Sequence, residues 1–147
     1  MEFLMTYGWA ILIMVTIVGV LFMLGVFNPT RAVPNACSLP PGFACYAYKV
    51  SSGGALYLDL GQSTGGDVTI TKFACSAQSP PSMTNTGSQV ISSGKHKNLT
   101  GLPSCVKSDG STPASGDYYS GKLVIEYVET RTGITHQISG DISYQTE

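Results

Sequence analysis

Between Glu2 and Arg31 the sequence carries no charged side chain, and 21 of its first 27 residues are apolar. Only Glu2, Thr6, Gly8, Thr16, Gly19 and Gly25 interrupt the run. Its Leu, Met and Ala favour a helix, whereas a single strand of this length would lie far outside the usual range. The segment predicts a helix over 1–28, roughly 40 Å long at about 1.5 Å per residue. Asn28-Pro29 is the expected stop, because Pro29 has no amide proton and disfavours helical angles at Asn28. The expected length exceeds the roughly 30 Å hydrocarbon core of a bilayer. Being apolar around its full circumference, the rod has no face to show to water.

The other 120 residues hold 42 apolar side chains, too few to build a core of their own and also enclose the rod. Burying the larger rod side chains, at about 1.5–3 kcal/mol each, supplies a gross driving force of tens of kcal/mol before entropy is subtracted. The rod is therefore expected to lie in a membrane or against other copies of itself. Charged residues make up 12% of the chain and the formal net charge is −1. Against about 25% in typical soluble domains, this argues against a nucleic-acid binder, which would cluster Lys and Arg, and against a disordered tail.

After Pro29 the period changes. Residues 45–50, 56–60, 68–73, 122–129 and 134–144 read as strands bounded by Gly, Ser, Pro or Asp clusters. Leu56, Leu58 and Leu60 alternate with Tyr57 and Asp59, and Leu123, Ile125 and Tyr127 share one face. In the last run Ile134, His136, Ile138, Ile142 and Tyr144 share one side. Ser51-Ser52-Gly53-Gly54 and Gly65-Gly66-Asp67 read as turns, and Glu129 to Gly133 as a hairpin loop with its glycine left-handed. The fold class expected is α+β: a long apolar N-terminal helix (1–28), a linker (29–36) and a small all-β head of sandwich or Ig-like type (37–147). Residues 76–121, with Pro80-Pro81, Pro103 and Pro113, predict a long surface region with Gln89 to Ser92 as its one short strand-like run, or a further strand or two.

Cys37, Cys45, Cys75 and Cys105 all lie in the head. An even count in a small Ser/Thr-rich domain beside a translocation-type segment predicts two disulfides and an oxidising location. A four-cysteine zinc site has little support, since there is no CxxC pair. Of three connectivities the favoured one joins Cys37 to Cys45 across Pro40-Pro41-Gly42 and Cys75 to Cys105 across the Pro-rich region. Asn98-Leu99-Thr100 is an N-glycosylation pattern in a segment expected to be a polar loop.

The chemistry-bearing residues form no catalytic set. His96, between Lys95 and Lys97, is expected to be a solvated loop residue, and His136 a half-buried packing residue. Asp109-Gly110-Ser111 is a fragment of a calcium loop without the downstream glutamate. The glycine pairs fall where turns need them, so they argue no phosphate site. Phe43, Tyr46, Tyr48 and Tyr118-Tyr119 are expected to pack the core and edges, with a sticky surface as the other reading. No enzyme activity and no cofactor are expected.

The charge distribution poses a topological problem. Cytoplasmic flanks normally carry Lys or Arg, yet the nearest basic residue, Arg31, lies on the head side of the rod. A basic leader removed before maturation would reconcile this with an oxidising location for the head; a weakly obeyed positive-inside rule is the other reading. The run Glu2-Phe3-Leu4-Met5-Thr6-Tyr7-Gly8-Trp9-Ala10-Ile11-Leu12-Ile13 resembles the mature start of archaeal type IV pilin-like proteins. Leu24 to Pro29, and Cys37 through Pro40-Pro41-Gly42-Phe43 to Cys45, are similar to members of that group too, so the resemblance covers roughly the first 45 residues closely. It departs in the position of the glutamate, which in many of these proteins follows the cut by several residues and here is Glu2.

The resemblance implies a basic leader cut by a prepilin peptidase, a membrane-held subunit before assembly, and a self-assembled helical filament built by pilus machinery, with rods inside and β heads outside. Glu2, Phe3, Tyr7, Gly8, Trp9, Ile13, Gly19, Phe22 and Gly25 are the expected filament-core residues. Glu2 would pair with a neighbour's terminal ammonium or another buried donor, since a lone carboxylate in such a core is costly. Gly8, Gly19 and Gly25 would let rods approach closely, and the aromatics would fill gaps or anchor at a bilayer interface. An adhesive pilus ranks first, ahead of an archaellin-type motility filament, and a single-span extracellular binding protein that does not polymerise is the competing class.

Overall fold

The computed structural model describes residues 2–27 and 34–147, and the chain forms two compact units, 1–33 and 34–147. The first contains helix α1, Glu2–Met23. Twenty-two residues at about 1.5 Å each make it about 33 Å long, shorter than expected and close to the thickness of a bilayer core. The helix ends before Asn28-Pro29, which lie outside the described residues. Gly25, at φ +68°, closes it instead. Its amide donates to the Phe22 carbonyl (3.1 Å) and the Val26 amide to the Leu21 carbonyl (3.2 Å), the paired bonds of a Schellman cap. Gly25 thus has a local reason to be glycine that needs no neighbouring rod. Thr6 donates to the Glu2 carbonyl (3.0 Å), and Thr16 to the carbonyls of Leu12 (3.0 Å) and Ile13 (2.8 Å).

The second unit is an antiparallel β-sandwich. Its strands are β1 (Ala36–Ser38), β2 (Phe43–Val50), β3 (Leu56–Gln62), β4 (Val68–Ser76), β5 (Thr84–Ile91), β6 (Lys95–Leu99), β7 (Tyr118–Glu129) and β8 (Thr135–Gln145). One sheet has the order β1-β8-β7-β4-β5, the other β2-β3-β6. The α+β class therefore holds, and the first strand begins at Ala36, paired with Ser143, one residue before the expected start of the head. Residues 29–33 of the expected linker lie outside the described residues.

Alternation builds the core: Leu56, Leu58 and Leu60 from the smaller sheet meet Val68, Ile70, Phe73, Leu123, Ile125 and Ile142 from the larger. The β7–β8 loop is the expected hairpin, with Gly133 at φ +71° and its amide bonded to the Glu129 carbonyl (2.7 Å). The even-numbered face of β8 is graded: Ile142 is buried, Ile138 and Tyr144 are half-buried, and Ile134 and His136 are exposed. His136 is therefore not half-buried; it lies on the surface, stacked on Tyr127 with ring centroids 5.4 Å apart.

The region 76–121 contains two whole strands, β5 and β6, turned by Ser92 to Gly94. The turn between them carries the chain from one sheet to the other. Cys37–Cys45 and Cys75–Cys105 are the disulfides, with Cα separations of 6.1 and 4.6 Å, which removes the cysteines from any metal set. The first ties β1 of the larger sheet to β2 of the smaller. The second holds the chain after β6 beside β4, where Ser76 and Val106 form a parallel bridge. Tyr119 fills the space there: it is buried, donates to the Val106 carbonyl (3.2 Å) and lies 3.6 Å from Cys75 Sγ. Burial pushes its phenol up to about 12. Gly121 is required beneath it, because a Cβ there would collide with the Tyr119 hydroxyl.

Candidate functional site

The rod gives the molecule its largest apolar surface. Phe3, Tyr7, Trp9, Ile13 and Phe22 are between 42% and 79% exposed. Met5–Met23 has a mean hydropathy of 2.1 with none of its residues buried, so it is long and apolar enough to cross a membrane. Exposure runs around the circumference because apolar residues occupy every helical position except those of Glu2, Thr6, Gly8, Thr16 and Gly19. Glu2 is the one charge on α1. A Cβ added at Gly8 or Gly19 would meet nothing within 4 Å, so each leaves a flat place on the rod. The two threonine hydroxyls donate to carbonyls of their own helix, and the other polar side-chain group between Gly8 and Met23 is the Trp9 indole N–H.

On the head, a second concentration of unusual residues lies on the outer face of the sheet β2-β3-β6. Alternation within β3 sends Tyr57, Asp59 and Gly61 outward. Their cross-strand partners are Lys49, Ala47 and Ala44 on β2, and on β6 Asn98 opposite Asp59 and His96 opposite Gly61. The ladder slips between Cys45 and Ala47, so the intervening Tyr46 stands outside the regular alternation and is 64% exposed. Its ring crosses Gly61, where any Cβ would strike it, and stacks on His96 with centroids 4.7 Å apart and planes 18° apart. His96 Nδ1 donates to both Asp59 carboxylate oxygens (3.0 and 2.9 Å). His96 is thus a strand residue held by two partners and not a free loop residue.

Asn98 is likewise on a strand, exposed at the sheet edge, where a polar loop was expected. Its sequon is fixed from behind by the buried Gln89, which accepts from the Thr100 amide (3.1 Å) and donates to the Thr100 carbonyl (2.7 Å). Tyr57 is 58% exposed and lines a shallow cavity of about 140 Å³ with Lys49, Asp59 and Asn98. Lys49 Nζ pairs with Glu147 (2.7 Å), which raises the ammonium's pKa. The other aromatics divide as packing predicts: Phe43 is core, 4.9 Å from Tyr127, and Tyr48 meets the edge of Tyr144 at 5.9 Å.

The remaining polar clusters are structural. Asp117 accepts from Lys107 Nζ (2.6 Å) and from the Ala114 amide (3.1 Å), which holds its carboxyl below the usual range. Its own carbonyl accepts from the amide (2.8 Å) and hydroxyl (2.9 Å) of Thr146, so the loop before β7 holds the C-terminal residues. Asp109 accepts from the Ser111 hydroxyl (2.6 Å) and amide (2.9 Å), an Asx turn in place of a cation loop, and these bonds lower its pKa. Among the described residues no three His, Cys, Asp or Glu side chains gather as metal ligands. No family model matches the chain, and no curated protein matches it.

Proposed function

We propose that this chain is the structural subunit of an extracellular filament of the archaeal type IV pilus kind, used for adhesion or surface interaction. One observation carries the reading: a 22-residue helix with no buried apolar side chain between Met5 and Met23 belongs to a chain whose other unit closes its own core without it. Copies of the rod are the natural cover for such a surface, since each presents the same apolar circumference. The motif Glu2 to Ile13 points to the same family. In this reading the rod is a membrane span before assembly and exchanges lipid for neighbouring rods afterwards. Selection among packings comes from shape, with Gly8 and Gly19 as places of close approach and Phe3, Tyr7, Trp9, Ile13 and Phe22 as fillers. Glu2 pairs with a neighbour's terminal ammonium, and prepilin peptidase and the assembly machinery are its cellular partners.

A second reading has a specific observation in its favour. At about 33 Å the helix matches a bilayer core closely, as a permanent single span would, which makes the chain a membrane-anchored extracellular binding protein. Electron microscopy of material sheared from cells, with mass spectrometry of its N-terminal peptide, separates the two. Thin filaments made of this chain are the expected result, and Glu2→Gln should reduce their yield at least tenfold. A chain that stays in the membrane fraction with no filament overturns the polymer reading in favour of the anchored one.

A further inference from the structure

We infer that the outer face of the sheet β2-β3-β6 is a carbohydrate-binding surface that takes successive sugar rings of an external glycan, one against Tyr57 and another against the Tyr46–His96 stack. The inference concerns the head alone and does not depend on whether the rod polymerises.

Three observations converge on it. The first is the exposure of two tyrosines, 64% and 58%, on one sheet face where polar side chains ordinarily meet water. The second is the immobilisation of Tyr46. Tyr46 is aimed by the ladder slip, has a glycine beneath it and is stacked on a histidine that a carboxylate holds. A platform ordered in advance loses little entropy when a ligand settles on it. The third is the polar complement beside Tyr57. The shallow cavity there is lined by Asn98, whose exposed amide both donates and accepts, beside Asp59 and Lys49, which keep hydrogen-bonding capacity beyond their bonds to His96 and Glu147.

A pyranose matches that combination, because one face of the ring is C–H and its rim is hydroxyl groups that both donate and accept. Other ligand classes fit less well. A phosphate or sulfate would meet the Asp59 carboxylate, and the nearest ammonium, Lys49, is already paired with Glu147. A nucleic acid would need a basic field that a chain of net charge −1 does not supply. The site is shallow and open, and its two platforms lie four strand residues apart, so it suits two or three sugar units of a longer chain and a weak affinity per site, on the order of 1 mM.

The test uses the full chain, made in a host that adds no N-glycan and kept in an amine-oxide detergent free of sugar groups. Saturation-transfer NMR is recorded with hexasaccharides of β-1,4-linked glucose, N-acetylglucosamine and mannose. The expected result is transfer to ring C–H protons of at least one of them. Tyr57→Ala and Tyr46→Ala should each weaken it at least tenfold, while Val90→Ala on the other sheet leaves it unchanged. Tyr57→Leu keeps the bulk without the π face and should weaken it as well, which guards against a loss caused by disturbed packing; melting curves of every variant check the fold. No transfer to any of the three sugars, or transfer that survives both tyrosine substitutions in folded protein, overturns the inference.

Discussion

Phe22 and Phe73 are the same side chain in opposite circumstances: one is 74% exposed on the rod, the other fully buried in the head. The difference does not lie in local hydrophobicity, which is higher in the rod. A helix satisfies its backbone hydrogen bonds from within, so α1 forms without settling where its side chains go. Strands cannot do this; pairing β3 with β2 and β6, and β4 with β5 and β7, brings side-chain faces together at the same time as backbone partners. The head therefore completes its burial within one chain, and the rod defers it to whatever surrounds the molecule.

That contrast gives graded expectations for head stability. Phe73→Ala should cost about 3–5 kcal/mol, read by chemical denaturation of the detergent-held chain, while Phe22→Ala should leave the same transition in place. A shift with Phe22→Ala would break the separation of the two units. Replacing Cys75 and Cys105 together by Ser opens a loop of 30 residues and should cost roughly 3–4 kcal/mol. The same change at Cys37 and Cys45, with a separation of 8, should cost about 2.5 kcal/mol by the same entropy relation. The smallest effect is electrostatic. The pKa of Asp117 is lower folded than unfolded, so its contribution is present above the unfolded value of 3.8 and is lost as pH falls through the folded value. Wild type should exceed Asp117→Asn in melting temperature at pH 6, and the gap should close by pH 2.

Legibility in the sequence follows the same division. An apolar run without charge announces a helix of membrane-like length, and the alternating leucines of β3 or the Leu123-Ile125-Tyr127 face of β7 announce half-buried strands. The three strands that escaped clear reading, β1, β5 and β6, are edge strands; β1 has only three residues, and the sequences TNTGSQVI and KHKNL of the other two bury only Gln89, Ile91 and Leu99. With one partner each and most side chains in water, their strand state is imposed by neighbours and leaves little periodicity to see. The helix end was misjudged for a related reason: Pro29 is the louder signal, but Gly25 two residues beyond Met23 is the one whose geometry closes the helix. The aromatic surface escaped because it depends on a ladder slip at Tyr46 and on the pairing of His96 opposite Gly61, neither of which spacing along one strand reveals. The disulfide pairs are the ones favoured, the first across the short Pro40-Pro41-Gly42 turn and the second, with a separation of 30, across the Pro-rich region.

Thr6 and Thr16 keep their hydroxyl protons on carbonyls of their own helix. A rod sealed in this way moves between two apolar phases without trading a single threonine hydrogen bond on departure or arrival. In the proposed filament, its partition between lipid and a bundle would be governed by contact and fit alone, so a modest mismatch in either direction would be enough to reverse the flow.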